Sequence, residues 1–128
     1  MAHKISAPMT LPETAAYWQA ANEGRLIVKH CNACGLAHHY PRDICPHCMS
    51  SDTEWRDSKG IGTLYSFSTM GQGEEAYTIA FVALDDGVTL MSNLAHTQGL
   101  IARIGARVQV CFMQASNGQQ VPMFTLMD

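Results

Sequence analysis

Four cysteines form the sequence motif with the clearest chemistry. Cys31 and Cys34 form one Cys-x-x-Cys pair, Cys45 and Cys48 form a second, and ten residues separate the two pairs. Zn²⁺ prefers four ligands in a tetrahedron, and each Cys-x-x-Cys turn presents two sulfurs to one side of the ion. The spacing therefore predicts a single structural zinc ion bound by all four cysteines.

The ligand set also predicts what the metal does. Sulfur would fill all four positions, so no position stays open for water or substrate, and we expect no catalysis at the metal. A ribbon of about 30 residues buries too little apolar surface to fold alone, so metal binding should supply much of its stability. Iron in a rubredoxin-like electron carrier is the alternative that the same ligands allow, and metal analysis would distinguish the two ions.

The other titratable side chains form no pattern that indicates a catalytic site. Five histidines are expected to be surface residues, neighbours of the metal ligands or solvated loop residues. They are His30, His38, His39, His47 and His96. Cys111 occupies the outward register of a predicted strand and is expected to be a small filler residue rather than a nucleophile. No nucleophile elbow, phosphate-binding loop or zinc-protease helix occurs in the sequence, so we predict that the chain is not an enzyme by itself.

The amino-acid composition indicates which kinds of partner the chain can bind. Charged residues make up 15% of the 128 residues, whereas an average soluble domain has about 25%. Such a surface is either filled by small polar residues or covered by another subunit, and the composition leaves both open. The net charge of −3 argues against binding to a phosphate backbone, which needs an excess of Lys and Arg. No segment resembles a signal peptide or a membrane span, so we expect a soluble cytoplasmic protein.

A short helix and a strand are predicted before the first cysteine. Residues 10–13 have the form of a capping box, and Gly24 supplies a helix stop. The apolar positions that recur at helical spacing are Leu11, Ala15, Trp18 and Ala21. Residues 25–30 then alternate as a strand, with Leu26 and Val28 on one side.

From residue 60 onward the pattern changes to strands. Alternation predicts them at residues 61–69, 77–84, 88–94, 107–113 and 121–126. Asp86-Gly87 and Asn117-Gly118 are typical of hairpin turns, and Gly60 and Gly62 permit a sharp bend or a bulge. Five strands and two hairpins in about 70 residues fit a closed barrel of the oligonucleotide/oligosaccharide-binding (OB) type.

Side-chain alternation also predicts which residues face the barrel interior. One face of the first barrel strand carries Ile61, Thr63, Tyr65, Phe67 and Thr69. Residues 77–84 are apolar on both faces and are interpreted as a central strand, while Val108, Val110 and Phe112 are predicted to point inward. The aromatic residues predicted to fill the core, rather than to stack on nucleic-acid bases, are Tyr65, Phe67, Tyr77 and Phe81.

The order of these motifs resembles the DUF35 family of zinc-ribbon plus OB-fold proteins that accompany acyl-CoA enzymes. In the N-terminal half the resemblance rests on Tyr17-Trp18, Gly24-Arg25-Leu26, Cys31-x-x-Cys34-Gly35, Tyr40-Pro41-Arg42 and Cys45-Pro46-x-Cys48. In the barrel it rests on residues 60–68, residues 90–94, Ile104-Gly105-x-x-Val108 and Pro122-x-Phe124. One departure is Met49, at a position where the family has Gly. A left-handed backbone there would cost a non-Gly residue about 1–2 kcal/mol.

The resemblance implies a mainly β protein with a short N-terminal helix, a rubredoxin-like zinc ribbon and a five-stranded OB-fold barrel. We place the arm and helix at residues 1–24, the ribbon at 25–58 and the barrel at 59–128.

It further implies a non-catalytic accessory subunit that binds and stabilises a thiolase-like or hydratase-like enzyme and shares a CoA ester with it, in a channel that the barrel helps to form. The loops at residues 70–76 and 115–120 are expected to frame any ligand face. The alternative is a protein that binds single-stranded nucleic acid.

Overall fold

The computed structural model describes residues 5–73, 76–95 and 100–127 in full, and His96 by its backbone. A single 3-10 turn at Pro12–Thr14 leads into the helix α1, Ala15–Asn22. Three strands of the ribbon follow, which are β1 (Ile27–Cys31), β2 (Ala37–His38) and β3 (Thr53–Asp57). The barrel strands are β4 (Ile61–Met70), β5 (Tyr77–Leu84), β6 (Thr89–His96), β7 (Arg107–Gln114) and β8 (Gln120–Leu126). The predicted class, mainly β with one short helix, is therefore confirmed.

The helix begins later than the sequence predicts, and a different side chain caps it. The N–H of Leu11 donates to Thr14 Oγ1 at 3.1 Å, so Thr14 rather than Thr10 and Glu13 supplies the local hydrogen bond. Glu13 instead accepts a hydrogen bond from the backbone N–H of Asp43 at 3.1 Å. The capping-box prediction was wrong because the Glu13 carboxylate bonds to the ribbon.

The buried face of α1 is set by its two large aromatic residues. Tyr17 and Trp18 are buried together with Ala20 and Ala21, whereas Leu11 is 44% exposed. The predicted positions Trp18 and Ala21 are confirmed, and the predicted positions Leu11 and Ala15 are wrong. Gly24 ends the helix as predicted, with φ +79° and its N–H on Ala21 O.

Strand β1 is the centre of the antiparallel ribbon sheet, whose strand order is β2-β1-β3. Leu26, Ile27 and Val28 are all buried, so both faces of the strand are covered rather than one. These residues belong to one hydrophobic cluster with α1 and the barrel. The helix, the ribbon and the barrel share one core, so burial does not mark where one of them ends and the next begins. The bounds 1–24, 25–58 and 59–128 therefore stay a prediction.

Strands β4 to β8 close into a five-stranded barrel, as the sequence predicted, and the strand order in the barrel is β4-β5-β6-β8-β7. All pairs are antiparallel except β6 with β8. The core is filled by Leu64, Val82, Val108 and Phe124, each fully buried. The prediction that β7 points Val108, Val110 and Phe112 inward is confirmed, because Val110 and Phe112 pack against that core.

The face predicted for β4 was wrong, because a bulge changes the alternation midway. The register with β5 shifts between Leu64 and Ser66, which leaves Tyr65 as the extra residue. Leu64 is consequently buried, Phe67 packs on the core, and Tyr65 is 67% exposed. The bulge was expected at Gly60 and Gly62. Gly62 is required instead by close packing, since a Cβ there would lie 2.5 Å from Ala83 O.

The prediction that four aromatic residues fill the core is correct only in part. Phe67 packs against the core and Tyr77 is half-buried. Tyr65 and Phe81 are 67% and 42% exposed on the outside of the barrel. Two aromatic residues therefore lie on its outer surface.

Both predicted hairpins are confirmed. Gly87 and Gly118 have φ of +100° and +91°, values that glycine adopts without strain. Strand β5 has the predicted bounds, whereas β6 begins one residue later and ends two residues later than predicted. Strand β7 ends one residue later than predicted, and β8 begins one residue earlier. No helix in the described part of the chain has both the length and the apolar character needed to cross a bilayer.

Candidate metal centre and adjoining groove

The structure brings the four predicted cysteines together at one point. Their sulfurs all lie within 4.8 Å of one another. Cys31 Sγ and Cys48 Sγ are 3.6 Å apart, and Cys34 Sγ and Cys45 Sγ are 3.7 Å apart. A tetrahedral zinc site with Zn–S bonds of about 2.3 Å requires sulfur separations of about 3.8 Å, whereas a disulfide requires about 2.05 Å. The donor set therefore fits a tetrathiolate zinc ion.

Two equivalent backbone turns hold the sulfurs in place. The N–H of Gly35 donates to Cys31 O at 3.0 Å, and the N–H of Met49 donates to Cys45 O at 2.8 Å. Gly35 and Met49 both have a left-handed backbone, with φ of +78° and +68°. The second turn thus uses methionine where the first uses glycine.

Electrostatics favour an ionised thiol in the first turn. The backbone N–H groups of Cys34 and Ala33 lower the pKa of the Cys31 thiol to about 7. The N–H of Ser50 lowers the pKa of Cys48, but Cys31, desolvation and the other two sulfurs together outweigh it and raise that pKa to about 12. Four thiolates this close repel one another, so their joint ionisation needs a cation between them.

Two histidines beside the cysteines are not the solvated loop residues that the sequence predicted. His38 is only 4% exposed, and its Nε2 accepts a hydrogen bond from the Arg42 N–H at 3.2 Å. The Nδ1 atoms of His38 and His39 are buried and have no hydrogen-bond partner among the described residues. Burial, and then the nearby His38, lower the pKa of His39 to about 4, so its ring is neutral at pH 7. The error arose because helix packing, which covers His39, cannot be predicted from loop composition.

The remaining predicted residues lie apart from any reactive arrangement. The backbone N–H of His47 donates to Cys45 Sγ, and the ring Nε2 of His47 is 3.3 Å from Ala37 O. His47 is therefore a neighbour of the ligands, as expected. His30 is partly exposed on β1. Burial raises the pKa of Cys111, which agrees with an unreactive thiol. The side chain of His96 lies outside the described residues.

An apolar groove of about 370 Å³ lies where the helix and ribbon meet the barrel. One wall carries Tyr17, Trp18, His39 and Tyr40, and the other carries Met91, Ser92, Asn93, Val121, Pro122 and Met123. Trp18 Nε1 donates to the Tyr40 hydroxyl at 3.1 Å, and the Tyr17 and Trp18 rings pack edge to face with centroids 5.0 Å apart. Alternation along single strands could not find this groove, because its walls come from parts of the chain far apart in sequence.

Of the two loops expected to frame a ligand face, one is engaged in holding the helix. Gln119 Nε2 donates to Trp18 O at 2.9 Å and to Asn22 Oδ1 at 3.0 Å. Gln119 therefore ties the loop at residues 115–120 to the helix, while residues 116–118 are exposed and the predicted role of this loop stays a prediction. In the other loop, Glu74 and Glu75 lie outside the described residues, so its role stays a prediction.

Two family models match consecutive parts of the chain. They describe the rubredoxin-like zinc ribbon domain of ChsH2, over residues 18–54, and the C-terminal OB-fold domain of ChsH2, over residues 55–113. A solved structure of an "Ltp2-ChsH2(DUF35) aldolase" is 29% identical, with a TM-score of 0.82 over 94% of this chain and 98% of that chain. The chain belongs to the DUF35 family.

The chain is also similar to a second solved structure and to part of a longer protein. A DUF35 family protein of unknown function from Sulfolobus solfataricus is 14% identical, with a TM-score of 0.67 over 92% of this chain and 87% of that one, which shows the shared fold. A probable enoyl-CoA hydratase alpha subunit from Thermomonospora curvata is 30% identical over an alignment of 117 residues, which covers 88% of this chain. The DUF35 chain spans only 37% of that relative.

Proposed function

We propose that this DUF35 protein is a non-catalytic accessory subunit that binds and stabilises an enzyme acting on acyl-CoA esters, of thiolase-like or hydratase-like type. The observation that carries the proposal is the similarity over 98% of a chain solved as an Ltp2-ChsH2(DUF35) aldolase. The similarity to a probable enoyl-CoA hydratase alpha subunit supports the same class of partner. Both relatives are named for enzymes, yet this chain corresponds to only part of the longer one.

The proposed metal is one structural zinc ion held by Cys31, Cys34, Cys45 and Cys48. The sulfur separations of 3.6 and 3.7 Å support zinc with four thiolate ligands and no open position. We call the turns at residues 31–35 and 45–49 the two zinc knuckles. Zinc bound there would hold the knuckles together and restrain the segment between them. That segment supplies His39 and Tyr40 to the groove, so the metal would support the groove wall rather than take part in chemistry.

The groups that line the groove support a role without catalysis. His39 is neutral at pH 7, and its ring packs against the rings of Tyr17 and Tyr40. Burial, and then the nearby Tyr40, raise the pKa of Tyr17, so its hydroxyl stays protonated. The groove therefore offers shape and apolar contact rather than an acid or base poised near neutral pH.

The groove is the part of this chain that we propose contributes to a CoA or acyl channel. Its lining is mostly apolar, and no Lys or Arg occurs among its described residues. CoA phosphates need cationic partners, so the groove suits the acyl or pantetheine part of an acyl-CoA and leaves the phosphates to the enzyme.

Binding to single-stranded nucleic acid is less well supported. Tyr65 and Phe81 are exposed on the barrel and could stack on bases. However, Arg107 is the only Lys or Arg within the described barrel strands, and it already pairs with Asp85 at 2.6 Å. A groove that tracks a phosphate backbone requires several cations along its length.

The proposal is tested by co-expression with thiolase-like and hydratase-like proteins encoded beside this chain. We expect a stable complex on size exclusion, one zinc per DUF35 chain by elemental analysis, and an enzyme that loses activity or solubility when expressed alone. A filter-binding titration with a single-stranded oligonucleotide at low salt serves as the control arm. A candidate enzyme that is fully soluble and active alone and forms no complex would contradict the proposal, as would salt-sensitive micromolar binding to the oligonucleotide.

A further inference from the structure

The charged side chains are distributed very unevenly over this protein. The chain has 19 Asp, Glu, Lys and Arg residues, formed by the 11 acidic and 8 basic residues of its sequence. None of them lies in β4, β5, β6 or β8, and Arg107 of β7 is the only one in the five barrel strands. The outer face of a barrel strand is normally polar wherever water contacts it. The helix α1 packs on β8 and accounts for part of this uncharged surface. The exposed outer face of β4, β5 and β6 is the part that another molecule can cover.

Three of the exposed side chains on neighbouring barrel strands are large and apolar. Phe81 of β5 pairs directly with Met91 of β6, and the two are 42% and 64% exposed. The bulge of β4 places Tyr65 beside Ser66, the residue that pairs with Phe81, and Tyr65 is 67% exposed. We call Tyr65, Phe81 and Met91 the outer row. Aromatic and methionine side chains are enriched in the centres of protein interfaces, and such groupings on a surface mark contact sites.

The outer row is continuous with the groove. Met91 lies at one end of the row and also lines the groove, beside Val121 and Met123 of β8. Next to it, a second hollow lined by Tyr77, Ile79 and Met91 extends the apolar surface toward Ile5 of the N-terminal arm. A partner seated on the outer row would therefore also cover the open side of the groove.

We infer that the outer row is the surface on which the catalytic subunit docks, through an uncharged apolar patch of its own. This inference rests on the proposed function, and it specifies which face of the barrel the enzyme covers. The lack of charge on this face favours such a patch, since a charged partner surface would lose water without gaining an ion pair. The same lack of charge disfavours nucleic acid. Docking here would convert the open groove into a closed channel, as the shared use of an acyl group requires.

The test uses the full chain, zinc-loaded, and the co-expressed enzyme that binds it. Met91→Glu places a charge in the outer row, and Met91→Leu keeps an apolar side chain of similar size. Gln109→Glu is the matched control, because Gln109 is an exposed residue of β7, the one barrel strand that already carries a charge. Should Met91→Glu fail to fold, Tyr65→Glu replaces it. Zinc content and thermal unfolding establish that each variant is folded.

We expect Met91→Glu to weaken binding of the enzyme at least about 30-fold, while Met91→Leu and Gln109→Glu bind within about threefold of wild type. Equal binding by wild type and a folded Met91→Glu or Tyr65→Glu variant would overturn the inferred docking face and leave the proposed accessory role intact.

If no candidate enzyme binds the wild type, the proposed function fails. Sedimentation of the free chain then decides what covers the outer row. A dimer that Met91→Glu dissociates would assign the face to a second copy, and a monomer at all concentrations would leave it uncovered, so either result overturns the inference.

Discussion

The second zinc knuckle contains a backbone position that should be improved by a single substitution. Met49 follows the fourth cysteine with φ +68°, whereas Gly35 occupies the equivalent position of the first knuckle with φ +78°. A left-handed conformation costs a non-Gly residue about 1–2 kcal/mol. Glycine removes that cost but adds about 0.4–1 kcal/mol of chain entropy to the unfolded state. Because Met49 is 75% exposed, little burial is lost, and Met49→Gly should stabilise the knuckle by about 0.5–1 kcal/mol.

The measurement is the affinity for zinc, by competition with a chromophoric chelator, because folding of a zinc knuckle and binding of its metal are coupled. A gain of about 0.5–1 kcal/mol corresponds to about two- to fivefold tighter binding. Met49→Ala keeps the left-handed penalty and should change the affinity by less than about twofold. Gly35→Ala is the converse test. Nothing lies within 4 Å of a Cβ at that position, so any loss of affinity there reflects backbone conformation alone.

Unchanged or weaker zinc binding by Met49→Gly, together with a clear loss in Gly35→Ala, would refute the reasoning. In that case the Met49 side chain would be stabilising the knuckle despite its exposure. The hydrogen bond from residue 49 to Cys45 O, at 2.8 Å, involves only backbone atoms and is expected to persist in both variants at that position.

Three further outcomes follow from the same structure. Chelation of the metal should release the amides of Gly35 and Met49 to fast hydrogen exchange while barrel amides stay protected, because the knuckles have almost no apolar core; protected knuckle amides after metal removal would contradict this. Gly62→Ala should lower the free energy of unfolding by about 1–3 kcal/mol in urea titrations, since its Cβ would lie 2.5 Å from the backbone oxygen of Ala83. His39 has a pKa of about 4 when folded and about 6.5 when unfolded, so the unfolded chain binds more protons between these values and stability falls as pH falls from 6.5 to 4, by up to about 3 kcal/mol. His39→Gln should flatten that part of the stability profile, and an identical slope in both proteins would count against it.

Features fixed by neighbouring residues could be predicted from the sequence. The cysteine spacing predicted that four sulfurs lie together, and they do. The Asp-Gly and Asn-Gly dipeptides predicted the hairpins at Gly87 and Gly118. Each depends on a few consecutive residues whose chemistry permits one local geometry.

Features that depend on packing between distant segments could not be predicted. The bulge at Tyr65 arises from the register between β4 and β5, which alternation within one strand does not reveal. The burial of His39 depends on the helix, because the Tyr17 ring packs against it. The groove was missed for the same reason, since its two walls are joined only in the folded chain.

Strand β5 shows how a correct prediction can leave an observation unexplained. Its residues are apolar on both faces, which predicted a central strand, and β5 does pair with a neighbour on each side. In a closed barrel, however, every strand has two neighbours and only one of its faces is inside. A central position therefore accounts for the buried Ala80 and Val82 but not for the exposed Phe81 between them. The outward apolar residues need a second cause, and the docking inferred above is one that also fits the absence of charge on β4, β5 and β6.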